Sequence, residues 1–226
     1  MVRKLLTTTE FALYDAQRLA RRLYLKNPEN PAHRQLFLST MLGWSKLETG
    51  IDADLPPDLR QRLSLSDGSF PPVTDSELDA ALLVGCRTRQ IPTALAAAQL
   101  LGESGDPARV LSNGYLGLST ALRDPDPRIR FDAARAIVEL DPREAYSGAA
   151  DVSNALAFAA AAKGKRQVLI VHPAPAKAQF LTGLLRGLRF DAISVPNGRE
   201  AVRFVRTHPD LELILISDLL VRPSWN

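Results

Sequence analysis

Residues 121–140 read ALRDPDPRIRFDAARAIVEL, and this stretch sets the architecture of most of the chain. A helix ends near Leu122, because Asp124-Pro125-Asp126-Pro127 cannot continue it. Each proline lacks an N–H and pushes the residue before it out of helical geometry. Asp126 stands where a carboxylate can cap a new helix, with Pro127 at its first position. Along that helix Ala133, Ala134 and Ala136 are small enough to let a neighbouring helix come close, and Ile137 and Leu140 supply core. A related pattern occurs 37 residues earlier, where AAAQLLG (Ala96–Gly102) lies over AARAIVE (Ala133–Glu139). A period of this length with two helices per unit is the mark of a helical solenoid.

Working outward, further helices flank this pair. TDSELDAALLVGC opens with Thr74 or Asp75 as N-cap and Glu77 in the first turn. IPTALAAAQLLGESGD has Pro92 in its first turn. DVSNALAFAAAAKGK reads as an Ala-rich helix stopped at Gly164. At the other end, Phe11, Leu13, Leu19, Leu23 and Tyr24 fall at helical spacing, with Arg18, Arg21 and Arg22 toward water. KNPENP breaks that helix, and AHRQLFLSTMLGWSKLE forms a second. DLPPDL and SFPPV, with Ser, Asp and Gly between them, read as a linker.

ALRDPDPRIRFDAARAIVEL resembles a HEAT repeat of the short kind seen in phycobilisome-lyase-like repeats. LYLKNPENPAHRQLFLSTML is similar to the helix–turn–helix junction of tetratricopeptide units. The HEAT resemblance implies that Arg128 and Arg130 bond the turn between helices, with Asp124 or Asp126 as partner. It implies a curved binding surface and no chemistry of its own.

From Gln167 the pattern changes. VLIV is a buried strand; Ala176–Leu188 is a helix with Phe180, Leu184, Leu185 and Leu188 on one face. FDAISV, GREAVRFVRTH and LELILIS follow as strand, helix and strand. Short loops between strands and helices mean a parallel sheet with right-handed crossovers. Residues 166–223 resemble the first half of a response-regulator receiver domain, through VLIV, LTGLLRGLRFDAISVPNGREAV and LILISD. The resemblance implies a flavodoxin-like fold, two acids after the first strand to hold Mg²⁺ through oxygen, and an acceptor aspartate after the third. Here His172 and Pro173 stand in place of the acid pair. Asp218 aligns with the acceptor, but Ser217 lies one place earlier and Pro223 five residues on, so either could occupy that position. The sequence ends at Asn226, before a fourth or fifth strand. It is read either as a truncated product or as a half-domain whose open sheet edge the helical domain or a second copy covers.

The expected organisation is a tetratricopeptide-like hairpin at 1–49, a Pro-rich linker at 50–73, HEAT-like repeats at 74–162 and a partial receiver-like α/β domain at 163–226. The fold class is thus an α-solenoid followed by a three-stranded parallel sheet. Together the parts resemble bacterial HEAT-repeat proteins with a degenerate receiver-like tail. Net charge is +3 and uneven, with ten Lys/Arg against five Asp/Glu from Lys163 onward. So modest an excess keeps a surface solvated and does not call for nucleic acid. Cys86 is the one cysteine, which excludes an intrachain disulfide and a cysteine zinc cluster; its apolar setting makes it a buried small hydrophobe. His33, His172 and His208 are isolated beside turns or prolines and are expected to be solvated. No secretory signal occurs, and no stretch approaches the ~20 apolar residues of a membrane span. A cytoplasmic, non-enzymatic adaptor follows, with no metal or other cofactor, a protein partner, and self-association through the sheet edge as an option. The competing expectation is a phosphorylation-responsive signalling protein with Asp218 as acceptor.

Overall fold

A computed structural model describes residues 7–63, 70–112 and 114–220; among these, eleven helices and three strands occur, helices first and then strands alternating with helices. The chain divides into two units, one ending at Leu156 and the next starting at Ala157. No helix among the described residues is long and apolar enough to cross a membrane.

The first unit holds α1 (Thr8–Lys26), α2 (Pro31–Thr49), α3 (Leu59–Leu63), α4 (Asp75–Thr88), α5 (Ile91–Ser104), α6 (Pro107–Leu111), α7 (Leu116–Ala121) and α8 (Pro127–Leu140). Helix α9 (Ala149–Ala160) crosses the division. Starts are set by local chemistry. Thr74, not Asp75, is the N-cap of α4 and forms a reciprocal capping box with Glu77. Asp126 caps α8, and Pro127 follows in its first turn.

Three helix pairs pack within themselves: α1 on α2, α4 on α5, and α7 on α8. Across pairs, α5 packs against both α2 and α8, and α4 packs against α7. Alanine makes this close approach possible: Ala94, Ala96, Ala97 and Ala98 of α5 and Ala133, Ala134 and Ala136 of α8 are fully buried. Gly102 extends the same contact, since a Cβ there would lie 2.8 Å from the Ala136 Cα.

Two expectations about this unit change. The described residues of the segment 50–73 do more than link helices. Leu55, Leu59, Leu63, Phe70 and Val73 are all buried in the common core. Phe70 meets Tyr24 and Phe37 edge-on, with ring centroids 5.1 and 5.2 Å away. The prolines shape an irregular backbone whose apolar side chains still point inward. The face of α1 also differs. Ala20 and Tyr24 carry its core contact, while Phe11, Leu19 and Leu23 are exposed. Helix α1 packs chiefly on α2, so only a narrow strip is covered.

The second unit contains β1 (Gln167–Val171), α10 (Pro175–Gly187), β2 (Asp191–Val195), α11 (Gly198–Val205) and β3 (Leu211–Ile216). The strands form one parallel sheet in the order β2-β1-β3. Central β1 is buried on both faces, which is why it reads as a continuous apolar run. Side chains alternate along it. Val168 and Ile170 join Ala192 and Leu185 of α10 on one face, and Leu169 and Val171 join Ala201 of α11 on the other. On α10, Leu181 and Leu185 face this core and Ala178 is buried on the same side, whereas Phe180 and Leu184, and Leu188 just past the helix end, are exposed. The expected single face is therefore two stripes, because the sheet covers only the 178–181–185 line.

Candidate functional site

The carboxyl end of the sheet brings together most of the residues singled out in the tail. The ladder runs past the strand ends: His172 N–H donates to the Val195 carbonyl at 3.1 Å, and Ser217 N–H to the Val171 carbonyl at 2.9 Å. With Val171 opposite Ile216, the register carries Ser217 level with His172 and Asp218 one step beyond. His172 is buried, contrary to the solvated histidine expected. Its Nδ1 accepts the Ala174 N–H at 2.9 Å, which puts the neutral ring's proton on Nε2. The imidazole thus ties down the turn into α10, where Pro175 occupies the first turn. Pro173 is exposed and offers no ligand atom from its side chain. Ser217 Oγ accepts the Leu219 N–H at 3.1 Å, closing a small turn. Asp218 is exposed on that turn, without an ion pair among the described residues. Pro223 lies outside the described residues. Among those described, no three His, Cys, Asp or Glu side chains stand together as a metal cluster.

The repeat-turn residues form a second constellation, spent on backbone. Asp124 Oδ1 accepts the Asp126 N–H and Asp126 Oδ1 accepts the Arg128 N–H, both at 2.9 Å. Arg128 Nη2 returns to Asp126 Oδ2 at 2.9 Å. Burial pushes the Asp126 carboxyl up, but the Arg128 side-chain and backbone bonds outweigh it and hold it below its usual range. Arg130 Nη1 donates to the Asp124 and Pro125 carbonyls at 2.7 and 3.0 Å. Arg89, from the preceding helix pair, reaches Asp124 Oδ1 at 3.5 Å.

Sequence reasoning missed a buried polar chain that crosses three helices. Lys46 of α2 is fully buried; its Nζ donates to the Ala53 carbonyl at 2.6 Å and to Gln99 Oε1 of α5 at 3.1 Å. Gln99 Nε2 then donates to Asp132 Oδ2 of α8 at 2.9 Å. Burial pushes the Lys46 ammonium down and the Asp132 carboxyl up from their ordinary values. All three side chains are buried, so the chain joins helices and presents no group to a substrate. In sequence, each residue looks like one polar position on a helix; only their meeting reveals the role.

It also missed an open cleft of about 440 Å³ between the end of α4 and the α7–α8 turn. Cys86, Leu116 and Pro125 contribute its apolar lining; Arg87, Arg89 and Arg123 contribute guanidinium groups, with Asp124 beside them. Burial first, and the Asp124 carboxylate second, push the Cys86 thiol up to about 12, which disfavours the reactive thiolate. The RTR run at 87–89 was the available signal, but its partner Arg123 lies in another helix pair.

Comparison of the chain with protein-family models, with curated proteins and with solved structures gave no match.

Proposed function

We propose that the chain is a cytoplasmic, non-enzymatic scaffold: a short HEAT-like solenoid that binds a protein partner, followed by a degenerate receiver-like tail. One observation carries this reading. The second helix of each pair repeats the same neighbour relation, α2 with α5 and α5 with α8, and α4 is in contact with α7. That is how a stacked array buries a shared core while leaving its outer faces for partners. The 37-residue offset between Ala96 and Ala133 supports it, because those residues lie in the two neighbouring helices α5 and α8. The strand order β2-β1-β3 supports the tail reading, since flavodoxin-like sheets are built from that same order.

A second reading, phosphorylation on Asp218, draws on the exposure of that carboxylate just past β3. The sheet end argues against it. His172 and Pro173 bring no oxygen ligand from their side chains, and a transferred phosphoryl group needs a cation to offset its charge. Incubation with acetyl phosphate and Mg²⁺, read by intact mass, separates the two. A scaffold gains no phosphoryl adduct. An adduct formed by the natural chain and lost in Asp218→Ala makes the protein a signalling receiver instead.

A further inference from the structure

We infer that the cleft between the end of α4 and the α7–α8 turn is a docking site for an acidic peptide segment of a partner protein. The inference rests on the scaffold reading and names the partner's chemistry.

Three guanidinium groups line this cleft against one carboxylate, Asp124. That carboxylate is nearly buried and already accepts the Asp126 N–H. The Ser119 and Thr120 hydroxyls donate back to the Tyr115 and Leu116 carbonyls at 3.0 and 2.8 Å, so the guanidinium groups are the donors left for a ligand. Arg87 has no charged partner among the described residues. Arg89 is 64% exposed, and its reach to Asp124 is a long 3.5 Å. Arg123 is 73% exposed; its Nε and Nη2 both reach Asp151 Oδ2 at 2.9 Å, an ion pair of the solvent-facing kind that contributes little and that a ligand carboxylate can exchange. Arg89 also holds a left-handed backbone, φ 59°, at the end of α4, where glycine or asparagine is the easy choice.

The shape decides between an enclosed metabolite and an extended chain. Small-molecule sites enclose most of their ligand's surface. This cleft is open, with its arginines largely in solvent and Leu116, 59% exposed, beside them. An extended peptide fits such a site: its carboxylates meet the planar guanidinium forks, and an adjacent apolar side chain covers Leu116.

The test is fluorescence anisotropy of the full chain with a labelled Glu-Glu-Leu-Glu-Glu peptide and a Gln-Gln-Leu-Gln-Gln control. The acidic peptide binds, more weakly as salt is raised, and the control does not. In Arg87→Glu/Arg123→Glu the affinity falls at least about tenfold. Circular dichroism of that variant matches the natural chain, since both arginines lie at the surface. Reversal of a remote exposed pair, Arg21→Glu/Arg22→Glu, leaves binding unchanged. No binding, equal binding of the control, or an equal loss in the remote variant overturns the proposal. So does displacement of the peptide by inorganic phosphate at equal or lower concentration, which would make the cleft a small-anion site. A partner crosslinked elsewhere on the helices, and indifferent to Arg87→Glu/Arg123→Glu, removes the cleft but leaves the scaffold reading intact.

Discussion

Gln99 stands between two buried ionisable groups of the helical unit, Lys46 and Asp132. Its amide accepts from a buried ammonium and donates to a buried carboxylate, two tasks that one uncharged amide performs at once. Gln99→Leu keeps a side chain of similar size but takes the amide donor from buried Asp132 and leaves the Lys46 ammonium with the Ala53 carbonyl. It is expected to lower stability by about 1–3 kcal/mol, measured by urea unfolding. Cys86 illustrates the reverse case, where environment silences a reactive group. With its thiol pushed up to about 12, it stays unmodified by a thiol reagent at pH 8 in the native chain and reacts once urea unfolds it. The cysteine's burial was legible from its apolar neighbours in sequence. Its closeness to Asp124 was not, because the two residues belong to different helix pairs.

At the level of elements, contact depends on small residues and on ties between them. Gly102→Ala would set a methyl 2.8 Å from the Ala136 Cα and pry α5 from α8. A loss of about 1–3 kcal/mol is expected, read as a lowered Tm. The segment 70–73 is tied to α2 and α4 through Arg34, which pairs with Glu77, donates to the Pro71 and Pro72 carbonyls and lies 4.4 Å over the Phe70 ring. Burial pushes the Glu77 carboxyl up, yet the Arg34 and Thr74 hydrogen bonds prevail and leave it below its usual range. A carboxyl lowered by folding stabilises the protein above its unfolded value of 4.5, and that stability is lost as pH falls through the lowered value. Arg34→Met is therefore expected to cost about 1.5–3 kcal/mol at pH 7. It should also flatten the acid limb of the stability profile below pH 4.5, followed by urea midpoints across pH.

For the whole molecule, the division at Leu156/Ala157 separates the helical core from the two clusters on the faces of the sheet. Among the described residues, the first contains the buried apolar side chains from Ala20 to Ala155 in one continuous cluster, including Leu55, Leu59, Leu63, Phe70 and Val73. A fragment of residues 1–162 is expected to unfold in urea as a single cooperative transition by circular dichroism. A broad transition would show that the helical core is incomplete without the rest of the chain. Division of labour at this scale fits the proposal: the helical unit carries the arginine cleft, while the sheet end of the other unit has its histidine engaged in a turn.

Local signals in the sequence determined the elements themselves. Prolines and capping residues such as Thr74, Asp126 and Pro127 act within one turn, and the continuous apolar run of VLIV marks a strand buried on both faces, so these features are readable without knowing any neighbour. Tertiary structure alone decided which apolar faces are covered, as Phe180 and Phe11 show by remaining exposed while the prolyl segment's Phe70 is buried. It alone also joined Lys46, Gln99 and Asp132 into one chain, and Arg87, Arg89 and Arg123 into one cleft. The physical reason is range. Caps and turns depend on residues three or four apart, whereas burial, desolvation and charge pairing depend on whatever the packing of distant helices brings within a few ångströms.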